Sequence, residues 1–257
     1  MTIERWEAVT QDEQAGHRRL DDPGMMREAA RKVASGRCVL FDFDGPLCRL
    51  FPDDSSKSLA RDLRRIVARH GAEELLTPKA RESIDPQVVL RTVDQSRPGG
   101  ELVAELERRL VEGEVAAAAI APPTAGADVL VGRMVEAGVR LAIATNNSPE
   151  AVDVYLRRMS LQEHFEGHVH GRTGDPKRLK PDPDSLHRAL HGLHAEAEDA
   201  LMIGDTTTDL DAASEAKVSF VGYARDGREA GPLWDSGAQL VVSRFALLSD
   251  MILLASS

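Results

Sequence analysis

Two aspartates, Asp42 and Asp44, close the apolar run CVLFDFDGPL at 38–47. In extended backbone a spacing of two turns both carboxylates to one side and sends Phe43 to the other, toward a core. A second run, VRLAIATNN at 139–147, turns polar at Thr145 and Asn146. A third, ALMIGDTTTD at 200–209, reaches Asp205, with Asp209 one helical turn beyond. Lys180 lies between these two runs, in LKPDP. Brought together, these groups make a cluster of carboxylates with one ammonium and one hydroxyl. Clustered carboxylates repel, so they call for a cation. Hard oxygen ligands with open positions suit Mg²⁺, which takes one or two carboxylates plus waters and a phosphate oxygen. One carboxylate would attack phosphorus while the other handles a proton. Thr145 and backbone N–H groups near Asn146 would hold a phosphoryl group, and Lys180 would neutralise charge on the nucleophile and the phosphate.

Convergence needs a scaffold. Each apolar run reads as a buried strand that delivers its polar end to a loop. VSFVGY (218–223) and QLVVS (239–243) extend the series. Helical stretches separate the runs. One covers 125–137 and stops at Gly138, a suitable C-terminal glycine. Ser148-Pro149 opens another, with Ser as N-cap and Pro in the first turn. Asp182-Pro183 repeats the device before 184–194, and FALLSDMILL (245–254) supplies a last helix. Runs alternating with helices predict an α/β fold, a parallel sheet with helices on both faces. In such sheets ligands bind at the carboxyl ends of strands, where these residues stand.

Residues 53–120 differ. Leu59, Leu63, Ile66 and Val67 recur at helical spacing, as do Leu102, Val103, Leu106, Leu110 and Val111, and no strand-like run interrupts them. This predicts a helical module inserted after the first strand, the chain returning to the main body near Ala121-Pro122-Pro123. Residues 1–37 form an N-terminal extension, with a short helix at 24–35.

Composition bounds the partners. The 257 residues carry 32 Lys and Arg against 42 Asp and Glu, a net charge of −10. That argues against a protein that works by neutralising nucleic-acid phosphates. The two cysteines, Cys38 and Cys48, build neither a disulfide framework nor a zinc cage. No apolar run reaches the ~20 residues of a membrane helix, and MTIERWEAVTQDEQ lacks the apolar stretch of a secretory signal. A cytoplasmic protein is expected. The 26 arginines outnumber the 6 lysines, which hints at a GC-rich bacterial genome.

Taken in order, the motifs resemble those of the haloacid dehalogenase superfamily: FDFDGPL the first, AIATNN the second, KPDP the third, IGDTTTDLDAA the fourth. The resemblance spans about 38–245. It implies a Rossmann-like three-layer α/β/α core with a parallel sheet, formed by 38–52 and 121–257, and an inserted all-helical C1 cap over 53–120. Asp42 would be the nucleophile that forms an aspartyl-phosphate. Asp44 would be the acid for the leaving group and then the base for water. Asp42, the backbone carbonyl of Asp44 and Asp205 would hold Mg²⁺. Thr145, helped by the Asn146 backbone, would bind the phosphoryl group, Lys180 would steady Asp42, and Asp209 would orient Lys180 or metal-bound water. A carboxylic acid at Asp44, rather than the Tyr or Ala of dehalogenating or phosphonate-cleaving members, favours phosphate esters. Pro46 departs from the Thr or Val common there and leaves the carboxylates untouched. The implied activity is Mg²⁺-dependent hydrolysis of a small phosphorylated metabolite, as in phosphoglycolate phosphatase-like members. A phosphomutase of the β-phosphoglucomutase kind or a non-catalytic binding protein on the same scaffold are the rivals.

Other residues read more plainly. Lys180, beside Pro181, is preferred over Lys177, which reads as a surface lysine. His187, His191 and His194 each follow a leucine of a buried stripe and read as a solvated face. His164, His168 and His170 carry no evident role, although His168 and His170 would share one side if that stretch is a strand. Cys48 reads as a plain small side chain, and Arg61, Arg65 and Arg69 as a charged solvent face. Arg49 and Phe51, at the junction into the insertion, are candidates to contact substrate, Arg49 through phosphate.

Overall fold

The computed structural model describes residues 20–35, 38–52 and 55–255. The opening stretch read above for a signal lies outside them. Six parallel strands form one sheet in the order β3-β2-β1-β4-β5-β6. They are β1 Cys38–Phe41, β2 Arg140–Ala144, β3 Val169–His170, β4 Ala200–Gly204, β5 Ser219–Tyr223 and β6 Val241–Val242. β1 is central, with Phe41 in register with Ile143 of β2 and Ile203 of β4. The chain winds outward from β1 through β2 and β3, then crosses to the other side of β1 for β4 to β6. The switch point therefore lies between β1 and β4, the strands that end at Asp42 and Asp205.

The strand period of two sorts the core into layers. Val39, Phe41, Leu141, Ile143, Leu201 and Ile203 face one side, against α1 (Pro23–Ser35), α6 (Ala127–Glu136), α7 (Pro149–Arg158) and α11 (Phe245–Ala255). Cys38, Leu40, Ala142, Ala144, Ala200 and Met202 face the other, against α8 (Asp184–Leu193) and α9 (Thr207–Glu215). Phe43 is buried in the first layer, as its parity requires. α10 (Gly227–Asp235) packs beside β5 and β6.

Between β1 and α6 the described residues form helices without a strand: α2 (Ser56–Arg69), α3 (Pro78–Glu82), α4 (Pro86–Ser96), α5 (Gly100–Ala118) and a 3₁₀ turn at Glu73–Leu75. Each of α3 and α4 begins with Pro behind a capping side chain, Thr77 and Asp85 respectively. Leu59, Leu63, Val67, Leu90, Val93, Leu106 and Leu110 form a buried cluster separate from the sheet's. Among the described residues no helix is long and apolar enough to cross a membrane.

Local signals behave as their chemistry demands. Gly138 ends α6 at φ +74°, and the Ser148 hydroxyl accepts from Ala151 N at 3.2 Å to open α7. The device before α8 is shifted: Pro183 occupies the N-cap position, and the Asp182 carboxylate accepts from Asp184 N at 2.9 Å. β3 was not legible as a strand. It is two residues long and flanked by His and Gly.

Candidate active site

β1, β2 and β4 end side by side, and the loops beyond them meet at one buried ammonium. Lys180 Nζ donates to Asp42 Oδ1 at 2.8 Å, to the Ala144 carbonyl at 3.0 Å and to Asp209 Oδ1. Lys180 is 2% exposed. Burial opposes its charge, but Asp209 and Asp42 outweigh that and hold its pKa above the usual lysine range. Lys177, its competitor in sequence, is exposed on a 3₁₀ turn.

Asp209 has two tasks. One oxygen receives Lys180. The other accepts from Asp205 N at 3.1 Å, from Thr206 N at 3.0 Å and from the Thr206 hydroxyl at 2.8 Å, closing a capping box at the start of α9. The ordinary role of an aspartate in a first helical turn and the site role are thus filled by one side chain. Gly204 makes room for it, since a Cβ there would lie 2.5 Å from Asp209 Cβ.

Asp205 is the unsatisfied member. Its Oδ1 is buried with no hydrogen-bond partner. Burial, then the charges of Asp209, Asp42 and Asp44, push its pKa well above the usual carboxylate range. Asp42, Asp205 and Asp209 each offer an oxygen, all within 4.8 Å of one another. Gly45, at φ +117°, lets the backbone after Asp44 lie against Asp205; a Cβ would sit 2.3 Å from Asp205 Cγ. An orphaned carboxylate oxygen, two further carboxylates and a backbone held close by a glycine fit a hard divalent cation.

Asp44 is positioned differently. Its Oδ1 accepts from Leu50 N at 2.8 Å. Burial raises its pKa to about 7; the Leu50 N–H opposes the rise, and the charges of Asp42 and Glu114 add to it. Burial also raises Asp42, against the pull of Lys180. The two carboxylates expected to divide the work therefore have different partners, an ammonium for one and a backbone amide for the other.

The β2 loop is held from several directions. Thr145 is buried, and its hydroxyl accepts from Asn147 N at 3.2 Å. The Asn146 side chain pairs with the Lys180 backbone, accepting from N at 2.7 Å and donating to O at 3.3 Å. The amides of Thr145, Asn147 and Ser148 all have acceptors. The Asn146 amide has none among the described residues.

Sequence reasoning missed the most buried ion pair of this loop. Arg172 donates to both oxygens of Glu114 at 2.8 and 2.9 Å, to Glu107 at 2.6 Å and to the Asn146 carbonyl at 2.8 Å. Glu114 also accepts from Asn147 Nδ2 at 3.2 Å and Ser148 N at 3.0 Å. Both glutamates lie on α5, so the inserted helices grip the loop that carries Thr145. From α4, Gln87 donates to the Asn146 carbonyl at 3.3 Å and Arg91 to the Lys180 carbonyl. Between α4 and the strand ends lies a cleft of about 420 Å³ lined by Asp42, Asp44, Thr145, Lys180, Asp205 and Arg91, among others. Arg49 lines an adjoining recess of about 300 Å³ with Asp44, Asp205 and Arg225, while Phe51 lines both.

The plainer readings agree with the structure. His187, His191 and His194 are exposed, with Leu186, Leu190 and Leu193 buried beneath them. Arg61, Arg65 and Arg69 are exposed. Cys48 is fully buried, and burial pushes its thiol pKa up.

The fold and this cleft define an α/β enzyme with an acidic site at the switch point of its sheet. More particularly, the chain belongs to the haloacid dehalogenase-like hydrolase family, whose model matches residues 39–223. Phosphoglycolate phosphatase of Rhodospirillum rubrum is 30% identical over 240 residues, covering 84% of this chain and 90% of that protein. The protein of the same name from Photobacterium profundum is 28% identical over 232 residues, covering 84% and 96%. The crystal structure of a predicted phosphatase from Clostridium acetobutylicum shares the fold, with a TM-score of 0.62 at 18% identity over 85% of this chain and 99% of that one.

Proposed function

We propose that this enzyme is a Mg²⁺-dependent phosphatase that hydrolyses the phosphate monoester of a small metabolite through Asp42. The observation that carries the reading is the Lys180 bridge between Asp42 and Asp209, set beside the partnerless Asp205 oxygen. It supplies a charged, oriented nucleophile and an unmet demand for a cation at one point. Asp42, the Asp44 backbone carbonyl and Asp205 would hold Mg²⁺, with Asp209 behind them. Bound there, the ion would neutralise the carboxylates and polarise the phosphoryl group.

The chain's own residues do the rest. An Asp42 oxygen attacks phosphorus, and the bond from phosphorus to the leaving oxygen breaks. Asp44, protonated below about pH 7, gives that oxygen its proton. As a carboxylate it then takes a proton from the water that attacks phosphorus and frees Asp42 with release of phosphate. The Thr145 hydroxyl and the Asn146 amide take up phosphoryl oxygens, and Lys180 holds Asp42 in line. The insertion over 53–120 acts as a cap that excludes water and selects the leaving group, with Arg91 and Gln87 reaching into the cleft. Arg49 would meet an anion in the adjoining recess that it lines. The net charge of −10 favours a small metabolite over a nucleic acid as substrate, and a cytoplasmic setting suits such a substrate.

The relatives' name makes 2-phosphoglycolate the first compound of a panel of phosphorylated metabolites. Phosphate release is measured with Mg²⁺, with EDTA, and with Asp42→Asn as the blank. Release that needs both Mg²⁺ and Asp42 supports the reading. Full activity of Asp42→Asn would remove the nucleophile, and no release from any compound would remove the phosphatase.

A further inference from the structure

The edge of the sheet away from the cleft holds a pair of imidazoles apart from the strand-end carboxylates. β3 is an edge strand with β2 as its single neighbour, and α8 packs against it. His168 and His170, two apart, turn to the same side. His168 Nδ1 and His170 Nε2 are each buried without a hydrogen-bond partner. Both nitrogens face the notch left by Gly192: a Cβ there would lie 3.2 Å from His170 Nε2 and 3.5 Å from His168 Nδ1. Buried polar atoms are rarely left unmade, because losing water without gaining a partner costs free energy. Two of them pointing at one gap in an otherwise packed helix face mark a place built for a third party.

We propose that His168 and His170 are paired ligands of a second metal site, specific for an imidazole-preferring divalent cation such as Zn²⁺. The donor chemistry separates it from the strand-end site, where the available groups are carboxylates. Ring nitrogens suit Zn²⁺ and its neighbours, and hard oxygens suit Mg²⁺. Ligation through Nδ1 of His168 and Nε2 of His170 puts each ring's proton on the other nitrogen. His168 and Gly192 line a groove of about 430 Å³, through which water would supply the remaining positions. The cations nearby are already committed: Arg188 to Asp184 and the Gly171 carbonyl, Arg140 to the Leu193 carbonyl. The ion would sit between β3 and the Gly192 notch of α8. Since Thr145 N donates to the His170 carbonyl at 3.1 Å, it would steady the end of β2 as well.

The test uses the full chain in excess Mg²⁺, which occupies the carboxylate site, and titrates Zn²⁺ against a chromophoric chelator while following the thermal midpoint. One equivalent should bind and raise the midpoint. His170→Gln should weaken binding by at least the roughly 10–100-fold that even an outer-shell change costs a metal site. Gly192→Ala should do the same by filling the notch, although alanine favours the helix and the fold is kept. Failure to bind Zn²⁺, with water alone in the notch, overturns the site. So does binding that is unchanged in both variants, which would put the ion elsewhere.

Discussion

On the floor of the cleft, Lys180 meets Asp42 and Asp209 at the ends of adjacent parallel strands. In its roof, Gln87 and Arg91 of α4 and Glu107 and Glu114 of α5 reach down to the same loops from helices that pack on a core of their own. The floor is placed by the pleat: one register between β1, β2 and β4 brings all its groups together. The roof has no such frame: charged side chains reach the loops one by one, while Val115 and Ala118 at the end of α5 pack on the sheet's core. The comparison teaches that chemistry and alignment are held by different means here. Substitutions in the two regions should therefore fail in different ways.

The largest effect is expected on the floor. Asp42→Asn should lower turnover by about 10⁴-fold or more, as removing a nucleophile does, with little change in unfolding midpoint. Loss of structure instead of turnover, seen by circular dichroism, would break the contrast. In the roof, Arg172→Met leaves Glu114 buried and unpaired, and should cost about 3–5 kcal/mol in urea unfolding. The double variant Arg172→Met/Glu114→Gln, which removes both charges, should be less destabilised than Arg172→Met alone. Equal destabilisation would mean that the pair is not what fastens α5.

Smaller effects sharpen the division. In the role proposed for it Asp44 is the acid, and with its pKa raised to about 7 its proton is present below that pH and lost above it. kcat/KM for an alkyl phosphate should then fall about tenfold per unit above pH 7. With p-nitrophenyl phosphate, whose leaving group needs no proton, that limb should flatten. Arg91→Gln should raise KM by about tenfold for a substrate with an anionic leaving group, the size of one modest charged contact, with kcat nearly kept. A fall in kcat at constant KM would move Arg91 from roof to floor.

The same contrast explains what could be read from the chain. Asp42, Thr145 and Asp205 each follow an apolar run, and burial of that run leaves the next polar residue at the carboxyl end of its strand. Lys180 was set apart from Lys177 by the proline beside it. The helices of the insertion were legible from their leucine spacing. Arg172 was not, because it lies in a polar loop, GRTGDPKR, where nothing local separates a buried arginine from a solvated one. Glu114 sits among other acidic residues of α5 and differs from them only in what faces it. The Asn146 side chain is spent on the backbone of Lys180, 34 residues away, a pairing that depends on two loops meeting.

The sheet's outermost strands, β3 and β6, are two residues each. A neighbouring molecule that tried to extend this sheet would find almost no ladder to copy at either side. The chain should therefore tolerate crowding without fibrillar association, and any oligomer it forms should be built from helix surfaces, not from a shared sheet.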